Sequence, residues 1–365
     1  MNLAQHMIEH AALGVTPGGA TPALAVPGLF VKASPLSPAF AKTAAGALSV
    51  KAGTVISVAD QVLRIDADTP VIMPALVAGT DYAIYACTDG TIRADTHWSA
   101  PAGYTTANSR KIGGFHYGLV APGTTVAGGQ FTTGGNGMIW TQADVDLIAG
   151  INTWSIWDLN YRPNCPDPRG MARTVGGAWV DIYFCSTDVD VNGTSRYNTS
   201  VASGSVLPKR PLAFGGNGVA TYTNLTWLVA SELAHAAGKR LLWEHEFVDA
   251  AFGVTEAVSL GGASETIPAT NREPRFTSKY GIEQASGHIY AWGLDSGQAG
   301  ETYSWQASTG GRGNSFTTPH RRVLLGGARN AGSNSGSRCS DWGGAPWVSY
   351  WAVGLRAACD HLQLD

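Results

Sequence analysis

The chain has 365 residues, of which 14% are charged, with 46 glycines and a formal net charge of −3. That length supports two domains with a buried core, and sparse charge with abundant glycine favours strands and loops over helix. The balance of charge leaves no basic footprint for nucleic acid or an anionic membrane, no segment reaches the roughly 18 apolar residues needed to span a bilayer, and the aromatic content is too high for disorder.

Met1 to Leu13 carries His6, Glu9 and His10 and lacks a basic start, so it is not expected to be a signal peptide. Leu3 to Leu13 reads as a short helix, and residues 1–28 as an N-terminal segment and linker. From Leu29 the runs are strand-like. Asp81 to Cys87 alternates, Asp89-Gly90 supplies a hairpin turn, and Thr91 to Ala94 returns. Lys111 to Tyr117 is a further strand, and residues 29–140 read as a small all-β domain. The character changes at Thr141, which caps a helix over Gln142 to Ile148 with Asp144 in its first turn. Trp154 to Tyr161 and Ala178 to Phe184 read as strands. Asn224 to Ala237 is a second helix, with Leu225, Leu228, Val229 and Leu233 on one face and Gly238 as its stop. Trp243 to Phe252 is a third. Short strands and glycine loops fill the rest of a second domain over residues 141–365, and no repeat of 20–50 residues is present.

The last forty residues have neither the two-residue period of a core strand nor the longer period of a core helix. Gly326-Gly327 opens a Gly/Ser/Asn-rich stretch, and Trp342, Trp347, Tyr350 and Trp351 follow among small residues. The composition describes a loop-rich surface held by glycine turns, with aromatics available for contact. It also describes an ordinary loop before a last strand.

The motifs for chemistry are incomplete. Asp188 to Gly193 imitates the start of a calcium loop, but the closing Glu falls on Thr199, so a polar β-turn is expected. His235 and His245 lack the spacing that lets two helical ligands face one metal. Asp360-His361 reads as part of a packed terminal strand. Gly332 to Gly336 has the outline of a nucleophile elbow with Asn where Ser must stand. Gly310-Gly311-Arg312-Gly313 is too short a cluster to indicate nucleotide binding. The five cysteines, Cys87, Cys165, Cys185, Cys339 and Cys359, form no CxxC, so free thiols and cytoplasmic synthesis are expected, with no catalytic residue, metal or cofactor.

Several segments in order carry a family resemblance: Thr80-Asp81-Tyr82-Ala83-Ile84-Tyr85, Ile112-Gly113-Gly114-Phe115-His116-Tyr117, Asp167-Pro168-Arg169-Gly170-Met171, Gln284-Ala285-Ser286-Gly287, and Cys359-Asp360-His361-Leu362. Thr309 to Gly313 precedes the Gly326-Gly327 frame in the same order. Over about residues 45–365 the chain resembles the phage major tropism determinants, the receptor-binding variable proteins of diversity-generating retroelements. The resemblance implies a mixed α+β, mostly β chain: a β-sandwich followed by a C-type-lectin-like domain of the formylglycine-generating-enzyme branch. It implies a homotrimer at the tips of phage tail fibres, made in the host cytoplasm. The implied partners are a host cell-surface receptor, protein or glycan, and other tail-fibre proteins, with no nucleic acid and no membrane insertion.

Carried over by the C-terminal frame, the implied variable ligand-binding positions are Ala328, Asn330, Gly332, Asn334, Asp341, Gly343, Gly344, Val348, Tyr350, Ala352, Val353 and Ala357. Residues two apart on an extended chain point the same way. Asn330, Gly332 and Asn334, or Val348, Tyr350 and Ala352, are therefore expected to share a face. The chain departs from the family at Arg329, where the family has Trp, and the family's N-terminal β-prism is not recognisable in residues 1–28. An alternative is a copper-dependent formylglycine-generating oxidase. That chemistry needs two closely spaced cysteines near the frame, whereas Cys339 stands alone and Cys359 is well beyond it. A bacterial surface-displayed variable protein would call for a lipobox or signal sequence, and neither is present.

Overall fold

A computed structural model of the chain describes residues 28–128, 131, 139–263, 265–298, 304–306, 315–317 and 320–362. The helix expected over Leu3 to Leu13 and the cluster at Thr309 to Gly313 lie outside the described residues.

The first region is built from β1 (Phe30–Val31), β2 (Phe40–Ala44), β3 (Ala47–Val50), β4 (Thr54–Val58), β5 (Gln61–Ile65), β6 (Thr69–Pro70), β7 (Thr80–Cys87), β8 (Ile92–Asp95) and β9 (Ser109–Tyr117). Strands β1-β4-β5 form one sheet and β2-β3-β6 another. In the third sheet β7 lies between β8 and β9, so both of its edges are hydrogen-bonded. Tyr82, Ile84 and Ala86 enter a core with Phe40, Leu48, Ile56 and Phe115, while Ala83, Tyr85 and Cys87 pack against Trp98 and Tyr104. The alternation of this strand thus separates two packed layers rather than core from solvent.

The junction to the second region is continuous. Thr141 and Asp144 form a capping box at the start of α1 (Gln142–Ile148). The stretch Trp154 to Tyr161 is not one strand. Thr153–Ser155 is a 3₁₀ turn capped by the Asn152 side chain, and only β10 (Trp157–Asp158) is extended. Strand β10 pairs antiparallel with β9 and completes the third sheet. Buried Asp158 accepts from Ala39 N–H at 2.7 Å and from Lys32 Nζ at 2.9 Å, tying this strand to the opening of the first region.

The second region contains β11 (Met171–Arg173), β12 (Trp179–Asp181), α2 (Val189–Asn192), α3 (Trp227–Ala236), β13 (Arg240–Leu241), α4 (Glu244–Ala250), β14 (Tyr290–Gln298), β15 (Ser304–Gln306), β16 (Ser315–Thr317), β17 (His320–Leu325), β18 (Ser340–Gly344), β19 (Val353–Gly354) and β20 (Ala357–Cys359). One sheet runs β11-β12-β20-β13 and a second β18-β17-β14-β19, while β15 and β16 pair with each other. The expected strand over Ala178 to Phe184 ends at Asp181, because Ile182 N–H turns to Gly170 O. Helix α3 starts three residues later than its apolar pattern suggests. Thr226 Oγ1 accepts from Val229 N–H, leaving buried Leu225 ahead of the helix. Its buried face is Ala230, Leu233 and Ala234, and Gly238 stops it at a left-handed φ of 66°. Between the sheets, Leu233, Leu241, Trp292, Leu324 and Leu355 share a core.

Candidate functional site

Strands β17 and β18 pair antiparallel with Leu325 opposite Ser340, so residues 326–339 leave and re-enter the second sheet at one end. Gly326 N–H closes the loop on Cys339 O at 2.9 Å. The loop rests on residues 256–263 and 265–266. Gly261 N–H and Ser259 Oγ each donate to Arg329 O at 2.7 Å, and Arg329 Nε donates to Gly261 O at 2.7 Å. Arg329 Nη1 also donates to Thr266 O. Further along, Ala257 N–H reaches Ser335 O at 2.9 Å, and Ser337 N–H reaches the Glu256 carboxylate at 2.8 Å. Arg329, the departure from the family pattern, is therefore a clamp between two loops. Nothing in the local sequence pairs 256–266 with 326–339.

A buried polar layer holds this assembly from beneath. Arg356 donates to the carbonyls of Asp181, Ile182 and Glu283 at 2.7, 2.6 and 2.6 Å, with its guanidinium 4.4 Å from the Phe184 ring centroid. Burial pulls that guanidinium down to about 10. Burial likewise pushes the Glu283 carboxyl up to about 7 and His288 down to about 4. Arg329 N–H donates to His288 O at 2.9 Å, which joins this layer to the loop above.

The twelve implied positions divide. Asn330, Gly332, Asn334, Asp341 and Gly343 are exposed, and Val348 and Tyr350 are half-buried. Ala328, Gly344, Ala352, Val353 and Ala357 are buried within the chain. Asn330, Gly332 and Asn334 do not alternate along a strand, because Gly332–Asn334 is a 3₁₀ turn; their exposure comes from a loop crest. The expected run of Val348, Tyr350 and Ala352 also fails as one face. Val353 N–H turns back to Tyr350 O and carries Ala352 inward. A Cβ at Gly344 would lie 2.8 Å from the Trp292 ring and 2.9 Å from Arg322 O, so no side chain fits there without movement. Ala357 pairs with Leu241 in β13 and has no exposed area.

Aromatics flank the accessible positions. Trp342 is 40% and Trp351 60% exposed. Tyr350 instead leans on the core. Its ring lies 6.0 Å from that of Trp292, and its hydroxyl accepts from Ala345 N–H at 3.4 Å.

The remaining candidates for chemistry are held in structural contacts or lie apart from one another. Asp188 caps α2 and accepts Lys209 Nζ at 2.7 Å, and Asp190 accepts Leu212 N–H at 3.0 Å, so the segment is a capped helical turn rather than the expected β-turn. His235 and His245 are exposed on separate helices. His361 stacks on Trp179 and accepts its Nε1–H at 3.0 Å. Burial pushes the Cys339 thiol up to about 11, which keeps it protonated at neutral pH and a poor nucleophile.

Comparison with known proteins agrees with this architecture. The sequence profile described as Mtd second domain matches residues 38–141. The chain is 42% identical over 342 residues to the tail fiber receptor-binding protein of Bordetella phage BPP-1, covering 92% of this chain and 85% of that protein. Among solved structures it is similar to the Major Tropism Determinant U1 variant, with 41% identity, a TM-score of 0.82, and coverage of 92% of this chain and 86% of the other. The P3c and M1 variants match at 40% identity with the same TM-score and the same coverage.

Proposed function

The chain belongs to the major tropism determinant family, and from that premise we propose that it is the receptor-binding protein of a phage tail fibre, attaching to a host cell-surface receptor, protein or glycan. It shares the mostly β architecture of that family, with a C-type-lectin-like fold. The observation that carries the reading is the arrangement at the end of the second sheet. Asn330, Gly332, Asn334, Asp341 and Gly343 are exposed on two connected segments, over a layer fixed by Arg356 and a loop clamped by Arg329. Exposed positions of this kind change identity at little cost to stability. In this reading the binding face is the five exposed positions with Val348 and Tyr350, edged by Trp342 and Trp351. The five buried frame positions act through packing.

The protein works as a homotrimer on the virion, held by other tail-fibre proteins after synthesis in the host cytoplasm, and performs no chemistry. The protonated, solitary Cys339 supports the last point. The division into residues 1–28, 29–140 and 141–365 is our reading of its domains. Diversification by a retroelement belongs to the same proposal: a near-copy of the DNA encoding Gly326 to His361, differing mainly at adenines, lies near a reverse transcriptase gene. Sequencing the flanking several kilobases tests that point, and the lack of both rejects it. Light scattering is expected to give about three times the 38.1 kDa chain mass; a clean monomer rejects the trimer. For the function itself, purified protein is expected to bind host cells saturably and to block phage adsorption. Protein that stays folded and neither binds the cells nor competes overturns the reading.

A further inference from the structure

Cys165 and Cys359 lie almost two hundred residues apart in sequence and belong to one buried cluster with Trp157, Met171 and Trp179. The chain around Pro163 runs antiparallel to the end of the protein, with Pro163 opposite His361. The flanking bonds are Asn164 N–H to Asp360 O at 2.8 Å and Leu362 N–H to Arg162 O at 2.9 Å. Pro163 and His361 are therefore a pair that exchanges no hydrogen bonds with each other. Counted on by two residues from that bridge, Cys165 and Cys359 are the next residues in line on the two segments. A disulfide spans Cα atoms roughly 4.4–6.8 Å apart, a separation that facing residues of neighbouring antiparallel segments supply. Both side chains enter that one cluster, where Cys165 Sγ lies 3.2 Å from Asp167 O and 3.8 Å from Met171 Sδ. The neighbouring Cys359 thiol holds Cys165 below its ordinary range, and Cys165 in turn pushes Cys359 up. The Lys239 ammonium, hydrogen-bonded to Asp181 and Thr194, adds its positive charge beside Cys165.

We propose that Cys165 and Cys359 are a disulfide site that locks the C-terminal strand of the variable domain to the segment before β11 once the protein meets an oxidising environment. The cross-link forms by exchange with a low-molecular-weight disulfide. The Cys165 thiolate attacks one sulfur of that disulfide and releases one thiol. The Cys359 sulfur then attacks the Cys165 sulfur of the mixed disulfide and releases the second. The two protein protons leave on the two released thiols, and one external disulfide is reduced for each link made. Cys165 is 4% exposed, so exchange proceeds as residues 162–166 lift from the strand. The pair stays reduced in a cytoplasm and oxidises outside the cell. That setting rests on the proposed virion function, whereas the chemistry of the pair does not.

The test uses the full purified chain, incubated with oxidised glutathione and then alkylated under denaturing conditions. Mass spectrometry is expected to show three alkylated thiols instead of five, and one peptide pair joined through Cys165 and Cys359. The large loop closed by the link raises the Tm by roughly 5–10 °C, and reductant reverses the rise. Cys359→Ser and Cys165→Ser each abolish the rise, while their reduced forms, melted alongside, report whether the variant itself folds. Five remaining thiols, glutathione adducts alone, a link between other cysteines, or a link that leaves the Tm unchanged each overturn the proposal. None of these outcomes bears on whether the protein binds host cells.

Discussion

Gly332 and Gly344 stand in the same C-terminal frame and meet opposite surroundings. A side chain at 332 would meet nothing within 4 Å, whereas one at 344 would strike the Trp292 ring and Arg322 O. The difference holds for the segments around them. Residues 330–343 contribute five exposed candidate positions, and residues 344–357 contribute Gly344, Ala352, Val353 and Ala357 to the interior. The frame proposed to vary is thus two physical zones: an exposed crest with room for other side chains, and a packed return whose changes would move the crest indirectly. Substitutions that ignore this boundary should fail to fold rather than change partner.

The comparison is broken most severely from below. Arg356→Ala leaves the carbonyls of Asp181, Ile182 and Glu283 buried without their donor, at a cost of about 4–5 kcal/mol. Binding is lost together with the folded state, as thermal melting and cell binding measured in parallel would show. A Tm within a few degrees of the parent means that the layer is not what holds the crest. Trp292→Ala is the next largest effect. Its ring has no exposed area and sits under both Gly344 and Tyr350, so its loss costs about 3–4 kcal/mol by leaving a cavity.

The buried layer also predicts a pH response. The Glu283 carboxyl, raised to about 7, favours the folded state at low pH, and that contribution is lost as pH rises from about 4.5 to 7. His288, lowered to about 4, acts in the opposite sense: its contribution is present above about 6.5 and lost as pH falls toward 4. The two nearly cancel in the parent. Glu283→Gln exposes the His288 response, so stability should rise by about 3 kcal/mol between pH 4 and 6.5 relative to the parent. Urea melts across that range provide the measurement, and parallel curves for variant and parent remove the coupling.

Sequence legibility followed the distance over which each feature is decided. The Thr141 cap and the Gln142–Ile148 helix are local, and their residues announce them. Strand β7 was legible as a strand, but not as one buried on both sides, because its covers come from Trp98, Tyr104 and the first core. The face expected from spacing failed at Gly332–Asn334 and at Ala352, where turns replaced the extended chain assumed. The backing of Arg329 by Ser259, Gly261 and Thr266 and the burial of Cys165 and Cys359 in one cluster are tertiary facts with no local signal.

Tyr350 marks the boundary between the zones. It is half-buried, and its ring touches the core through Trp292. Tyr350→Ala should therefore cost about 2 kcal/mol of stability, roughly half the Trp292 effect, while also weakening receptor binding. A loss of stability equal to that of Trp292→Ala assigns Tyr350 to the packed zone alone.

The smallest stability effects belong to the crest, and they are the most diagnostic. Asn330, Asn334 and Asp341 are exposed. Alanine at Asn330 or Asn334 should shift stability by less than about 0.5 kcal/mol, as is usual for exposed sites. Asp341→Ala removes the carboxylate that accepts Gly343 N–H at 2.7 Å, an exposed bond whose loss is of the same small order. Binding to a soluble receptor should respond differently. Where a crest residue fills a receptor pocket, truncation costs about 2 kcal/mol, a thirty-fold loss per site. A monovalent receptor fragment in solution is the right probe, because avidity on a cell surface hides such losses. If all three substitutions leave both Tm and monovalent affinity unchanged, the contact surface lies with Val348, Tyr350 and the exposed tryptophans, and the crest is only its neighbour.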